Sequence, residues 1–387
     1  MTKHYPAALR TTCLLAISLA LLAQLPLPAT AATTKATAAN KADVIALPAY
    51  QADLSQTSVS GLSSGAFMAA QFAVAYSGTV VGAGIVAGGP FYCSGAPSIG
   101  LYTPFLINAT TTCMNPAANN VSPPVSSTLW KITQDIALAG DIDPTSNLAR
   151  QKVYLFSGTQ DNTVTTAVVD QTRAFYQLAG TPDSQIRYVT SVGAGHAIIT
   201  DSKQDTACPL TESPYINNCN IDQAKDILTQ IYGPLNPPAT SLSGKIIAFN
   251  QASFIKGFNS ALSSMSRTAY AYVPQACNSQ GCKVHVAFHG CQQGAETIGN
   301  LFYAHTGYNE VADTNKIIVL YPQANASLAP AYNPKGCWDF WGYTSYNQLM
   351  PNFYAKSSVQ MAAVKGMLDR LAAARGTRLS VKSTARK

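Results

Sequence analysis

Short strand-like runs and longer helix-like stretches alternate along most of this chain, and that alternation restricts its fold more than any other feature. Ser58 to Leu62 reads as a strand that leads into a helical stretch from Ala66 to Tyr76, and Val80 to Val86 and Lys152 to Ser157 are apolar runs of buried-strand type. Ala167 to Leu178 has helical spacing, and Ile186 to Thr190 is again a strand. Parallel strands need crossover connections, which the helices supply, so the pattern predicts an α/β chain with a mostly parallel sheet and helices on both faces.

The second half continues the theme with strands at Thr268 to Val273, Val284 to Phe288 and Ile317 to Tyr321, and an amphipathic helix from Val359 to Ala374. Asn236 to Gly244 has the composition of a linker and suggests a boundary near residue 240. The segment after it offers only about three strands and one long helix, with no nucleophile or metal set of its own. It reads better as the missing part of one sheet, in a single domain over residues 47–376. With 387 residues, 47% hydrophobic and 11% charged, the chain can bury a large core and is not intrinsically disordered.

The ends read differently. Lys3 and Arg10 precede an apolar run from Cys13 to Leu25, which Pro26 and Pro28 end before it reaches spanning length, and Ala29-Thr30-Ala31 matches a signal-peptidase site. Residues 1–31 are expected to be a removed signal peptide, 32–46 a disordered lead-in and 377–387 a flexible basic tail. The competing reading of the first segment is a membrane anchor. Losing Lys3 and Arg10 reduces the excess of Lys and Arg over Asp and Glu from +7 to +5, with no basic cluster before the tail, so no nucleic-acid footprint is present. The chain is expected to be exported, extracellular or periplasmic, soluble and monomeric.

Export agrees with the cysteines. Nine become eight when Cys13 leaves, and an even number is what oxidative pairing produces. Eight cysteines allow 105 pairings. Short separations favour neighbours: Cys93 with Cys113, Cys208 with Cys219, Cys277 with Cys282, and Cys291 with Cys337. A zinc site at Cys277 and Cys282 is the alternative, but no second Cys/His pair at metal spacing accompanies them, so no metal or cofactor is expected.

Gly61-Leu62-Ser63-Ser64-Gly65 fits G-x-S-x-G between a strand and a helix, as a nucleophile elbow requires. Ser63 is the candidate nucleophile and Ser64 its rival, one place off the motif centre. A hydroxyl needs a base, and the base a partner that fixes its tautomer. His196 follows the strand read from Ile186 to Val192, and Asp161 follows the strand ending at Ser157. The order Ser63, Asp161, His196 is that of an α/β-hydrolase. His285, between Val284 and Val286, reads as structural. Phe288-His289-Gly290-Cys291-Gln292 resembles the His-Gly element that supplies an oxyanion amide, with Ser64 supplying the other. That element lies downstream of the nucleophile instead of upstream, which circular permutation would explain.

GLSSGAFMAAQFAVAYS, GDIDPTSNLARQKVYLFSGTQDNTV, VGAGHA, AYVPQAC, VHVAFHGCQQG, IIVLYPQA and GCWDFWGY together resemble the poly(3-hydroxybutyrate) depolymerases with a type 2, permuted catalytic domain, over about residues 55–345. The resemblance implies a circularly permuted α/β-hydrolase fold and a secreted serine esterase. It implies Ser63, Asp161 and His196 as the triad, and the amides of Ser64 and Cys291 as the oxyanion hole. The chain departs from many members in having no linker and C-terminal polymer-binding module, which puts adsorption to crystalline polymer in doubt. Trp338 and Trp341 are candidate substrate contacts, brought beside the oxyanion loop if Cys291 and Cys337 are joined. A neutral polyester needs apolar walls and no charged specificity residue. A feruloyl or acetyl-xylan esterase of the same fold is the alternative function, and a non-catalytic binding protein a third reading.

Overall fold

The computed structural model describes residues 44–97, 105–257 and 260–376. The expected signal peptide and the basic tail lie outside the described residues. The strands are β1 Thr57–Leu62, β2 Val80–Val86, β3 Lys152–Phe156, β4 Ile186–Val189, β5 Ile198–Thr200, β6 Thr206–Ala207, β7 Ile216–Asn218, β8 Lys245–Asn250, β9 Thr268–Val273, β10 Lys283–Phe288 and β11 Ile317–Tyr321. The helices are α1 Ser64–Ala75, α2 Phe105–Thr110, α3 Ser126–Leu138, α4 Thr166–Leu178, α5 Gln223–Tyr232, α6 Ala295–Ile298, α7 Leu301–His305, α8 Tyr308–Asn315 and α9 Val359–Ala372.

Eight strands form one sheet in the order β4-β3-β2-β1-β10-β11-β9-β8, and β5, β7 and β6 form a small second sheet. All pairings across the large sheet are parallel except those that β9 makes with β11 and β8. Strand β1 lies at the centre between β2 and β10, and every one of its residues is buried. On one face of it, Ser58 and Ser60 point with His285 toward α5 and α8, bonding Tyr232 and Tyr308. On the other, Phe72 of α1 meets Phe288 of β10. Helices therefore cover both faces, and the described residues share one hydrophobic core.

The second half of the chain does complete the first half's sheet. The expected linker is tied to α8, because Asn236 and Asn315 exchange hydrogen bonds and Ser243 donates twice to Asp313. Strand β8 follows at once; its edge position leaves four of its six residues in contact with solvent, which hid it in the sequence. The ordered chain also starts before Leu47, since Ile45 pairs with Phe249 of β8.

Candidate active site

The site is built where β1 turns into α1. Ser63 sits at φ 57° and ψ −124°, a conformation that costs a non-glycine residue energy and recurs where function requires it. The glycines on either side make the turn possible. A Cβ on Gly61 would lie 2.3 Å from the Gly65 carbonyl oxygen, and one on Gly65 would lie 2.3 Å from the Phe288 oxygen, so α1 passes directly over the end of β10. The Ser63 amide donates to the Val86 carbonyl at 3.0 Å, which fixes the elbow against β2.

Asp161 and His196 arrive on two loops beyond β3 and β4. Thr159 N donates to Val192 O and Gln160 N to Ala194 O, so the loops run side by side and bring the two residues together. His196 Nδ1 lies 2.7 Å from Asp161 Oδ2, and Asp161 Oδ1 accepts from the amides of Thr163 and Val164. Those bonds leave the carboxylate one free oxygen aimed at the ring, which holds the imidazole with Nδ1 protonated and Nε2 available. The His196 amide donates to Thr211 Oγ1 at 2.8 Å. Ser63 and His196 line one cavity of about 190 Å³.

Ser64, the rival nucleophile of the sequence reading, is placed differently from Ser63. Its hydroxyl accepts from the Trp338 amide at 3.2 Å and is buried beneath the elbow. Neither its amide nor that of Cys291 donates to a protein acceptor among the described residues; Cys291 lines both cavities that meet at Ser63, and Ser64 one of them. The loop that carries Cys291 is braced on all sides. Gly290 N donates to Gln293 Oε1, whose amide nitrogen bonds the carbonyls of Pro214 and Tyr215. His289 donates from Nδ1 to the Gly290 carbonyl and accepts at Nε2 from Ala324, so both ring nitrogens are committed and burial pushes its pKa down to about 4. His285 is likewise enclosed, between Ser58 and Ser60, with its pKa lowered to about 3 by desolvation.

Disulfides join Cys93 to Cys113, Cys208 to Cys219, Cys277 to Cys282, and Cys291 to Cys337. The pair once readable as zinc ligands is therefore oxidised. The bridge from Cys291 to Cys337 brings the Trp segment to the loop expected to supply an oxyanion amide, but the two indoles part company. Trp338 is fully buried against Phe288 and His289 and lines neither cavity at Ser63, unlike the cavity-wall position expected of a substrate contact. Trp341 is only partly buried and lines a second cavity of about 250 Å³ with Phe67, Leu106, Met114 and Phe340. A turn around Asp339 accompanies the split: its buried carboxylate accepts from the amides of Trp341, Gly342, Tyr343 and Thr344, so the chain coils between the two indoles. Phe340 stacks on Phe67 of α1 at 4.2 Å.

Sequence reasoning missed Lys335, which lines both cavities. Its proximity to Cys337 in the chain was the available signal, and the expectation of a site without a charged residue passed over it.

The chain is 44% identical over 336 residues to the poly(3-hydroxybutyrate) depolymerase of Delftia acidovorans, covering 62% of that protein's length, and 39% identical over 345 residues to the polyhydroxybutyrate depolymerase of Talaromyces funiculosus, covering 92% of it. Among solved structures it resembles a PHB depolymerase serine-to-alanine variant complexed with an R3HB trimer, and the PHB depolymerase of Penicillium funiculosum. Both match with a TM-score of 0.73 over 84% of this chain and 98% of theirs, at 38% and 37% identity. No protein-family model matches. Similarity of this extent along the whole catalytic fold, with the serine elbow at its centre, makes this chain a member of the polyhydroxybutyrate depolymerase family.

Proposed function

We propose that this protein is a serine esterase that hydrolyses poly(3-hydroxybutyrate) and its oligomers to 3-hydroxybutyrate and short oligomers. The observation that carries the reading is the junction at Ser63, where a histidine held by a carboxylate meets an apolar cavity and two unbonded amides. His196 Nε2 takes the Ser63 proton as Oγ bonds to the ester carbonyl carbon, and the amides of Ser64 and Cys291 receive the negative charge on the carbonyl oxygen. His196 then gives the proton to the departing alkoxide oxygen. Water attacks the acyl-enzyme by the same route in reverse, releasing the acid and restoring Ser63. Phe67, Phe340 and Trp341 give the methyl-bearing acyl chain an apolar wall.

In the same reading the chain is a single permuted catalytic domain up to residue 376, which the pairing of Ile45 with Phe249 extends back past Leu47, preceded by a signal peptide and a short lead-in and followed by a basic tail. The strand order supports permutation. Traced β8, β9, β10, β11 and then β1 to β4, the chain would cross the sheet from one edge to the other, with only β10 and β11 exchanged in order and the His-Gly element ahead of the nucleophile. Export is supported by the four disulfides, which form and persist in oxidising compartments. No described helix is long and apolar enough to cross a membrane. The test is to incubate the purified protein with amorphous polymer granules and identify the soluble products, with a fluorophosphonate label mapped to Ser63. Clearing with release of 3-hydroxybutyrate supports the proposal. Release of ferulate or acetate from xylan, with no acid from the polymer, would replace it with a carbohydrate esterase.

A further inference from the structure

Poly(3-hydroxybutyrate) is neutral along its length and carries one charged group, the carboxylate at one end. Among the described residues that line the two cavities at Ser63, Lys335 is the only Lys, Arg, Asp or Glu. We propose that Lys335 recognises the terminal carboxylate of a short oligomer whose last unit is the leaving group, so that the enzyme shortens soluble oligomers from their carboxyl end. The inference rests on the polyester reading above.

The placement of the residue argues for it. The residue is exposed, and its ammonium belongs to no ion pair among the described residues. Its backbone, by contrast, is fixed: the Lys335 carbonyl accepts from Gln292 N at 2.7 Å, Gly336 N donates to Asn333 O, and the next residue is Cys337, bonded to Cys291. A flexible four-carbon stem thus starts from a rigid point beside the oxyanion amide.

The chemistry of the two cavities sets the direction. His196 must hand its proton to the leaving oxygen, so the leaving unit lies in the cavity that contains His196. That cavity has Leu62 and Met114 on its wall but also Thr163, Thr211, Tyr215 and Gln292, which makes it the more polar of the two and the better suited to a carboxylate. The acyl part then occupies the apolar cavity with Trp341. When the scissile bond is the last ester, Ser63 Oγ bonds to the carbonyl carbon and the carbon–oxygen bond to the terminal unit breaks. The proton passes through His196 to that oxygen, and 3-hydroxybutyrate leaves with its carboxylate within the arc of Lys335.

The experiment compares the 3-hydroxybutyrate trimer as free acid and as methyl ester, measuring kcat/KM for each with the unaltered protein, Lys335→Gln and Lys335→Arg. The acid-to-ester ratio should fall about threefold to fivefold in Lys335→Gln, the size expected of one solvent-accessible ion pair. Lys335→Arg should restore it, and salt at about 0.5 M should lower it in the unaltered protein, because exposed charges are screened. An equal ratio in the unaltered protein and Lys335→Gln, with both trimers cleaved, overturns this inference alone. If neither trimer is cleaved while Ser63 still takes the label, the polyester reading falls and the inference with it.

Discussion

Two adjacent serines differ in fate because the backbone turns between them. Ser63 occupies the strained elbow and opens onto both cavities, while Ser64 spends its hydroxyl on the Trp338 amide. Ser63→Ala should lower ester hydrolysis by roughly three orders of magnitude or more, and adding Asp161→Asn or His196→Ala should cost little further, because the three act as one unit. Ser64→Ala keeps the backbone amide, so activity should fall far less, with a stability loss of about 1 kcal/mol for the lost hydrogen bond. Turnover assays and urea titrations on both variants separate the roles; a dead Ser64→Ala beside an active Ser63→Ala would sink the assignment. Gly65→Ala tests the elbow itself. Its new Cβ would press on the backbone oxygens of Phe288 and His289, neither of which can swing aside, so it should destabilise the fold by about 3 kcal/mol and abolish turnover.

At the level of elements, the site is a meeting of four segments, each held by something other than its own propensity. Helix α1 fixes the Trp segment through Gln71, which donates to the Asp339 carbonyl, and α9 fixes it through Gln360, which accepts from the Asp339 amide. The oxyanion loop and the Trp segment are joined covalently by Cys291 and Cys337, 46 residues apart. In the chain-entropy account such a loop contributes about 4 kcal/mol. Replacing both cysteines by alanine should therefore lower the unfolding free energy by that order and slow hydrolysis at the same time, since it frees the amide at residue 291. Unaltered turnover in a clearly destabilised double variant would show that the bridge supports the fold and not the oxyanion hole.

For the whole molecule, the buried histidines beneath the sheet set a pH limit. His285 and His289 have pKa values lowered to about 3 and about 4 by burial, whereas an unfolded histidine titrates near 6.5. Between pH 6.5 and 4 the unfolded chain binds more protons at these two positions than the folded one. Their contribution to stability is therefore complete above pH 6.5 and is lost on acidification, at about 1.4 kcal/mol per pH unit for each ring. Asp222, whose pKa burial raises to about 6, acts with the opposite sign. The clean measurement is a difference: denaturant midpoints of His289→Gln from pH 7 to 4.5 should fall less steeply than those of the unaltered protein, by about one proton. Parallel curves would mean that the ring is protonated in the folded state.

Much of this was legible in the residues because it rests on local pattern. Strand and helix alternation follows from periodicities of about two and 3.6 residues, and the elbow needs small residues at fixed spacing around Ser63, so both are written in short windows of sequence. Pairing of neighbouring cysteines was legible for the same reason. What the sequence could not contain is which side of an irregular segment faces inward. Trp338 and Trp341 looked equivalent three residues apart, and only the bonds of Asp339 to the amides that follow it turn one into the core and leave the other on a cavity wall. Edge strand β8 and the position of Lys335 were hidden in the same way. Their environment is made by partners far along the chain, Tyr272 and Ala271 for β8 and the Ser63 cavities for Lys335, and packing at that distance is decided by the closed fold, not by neighbours in sequence.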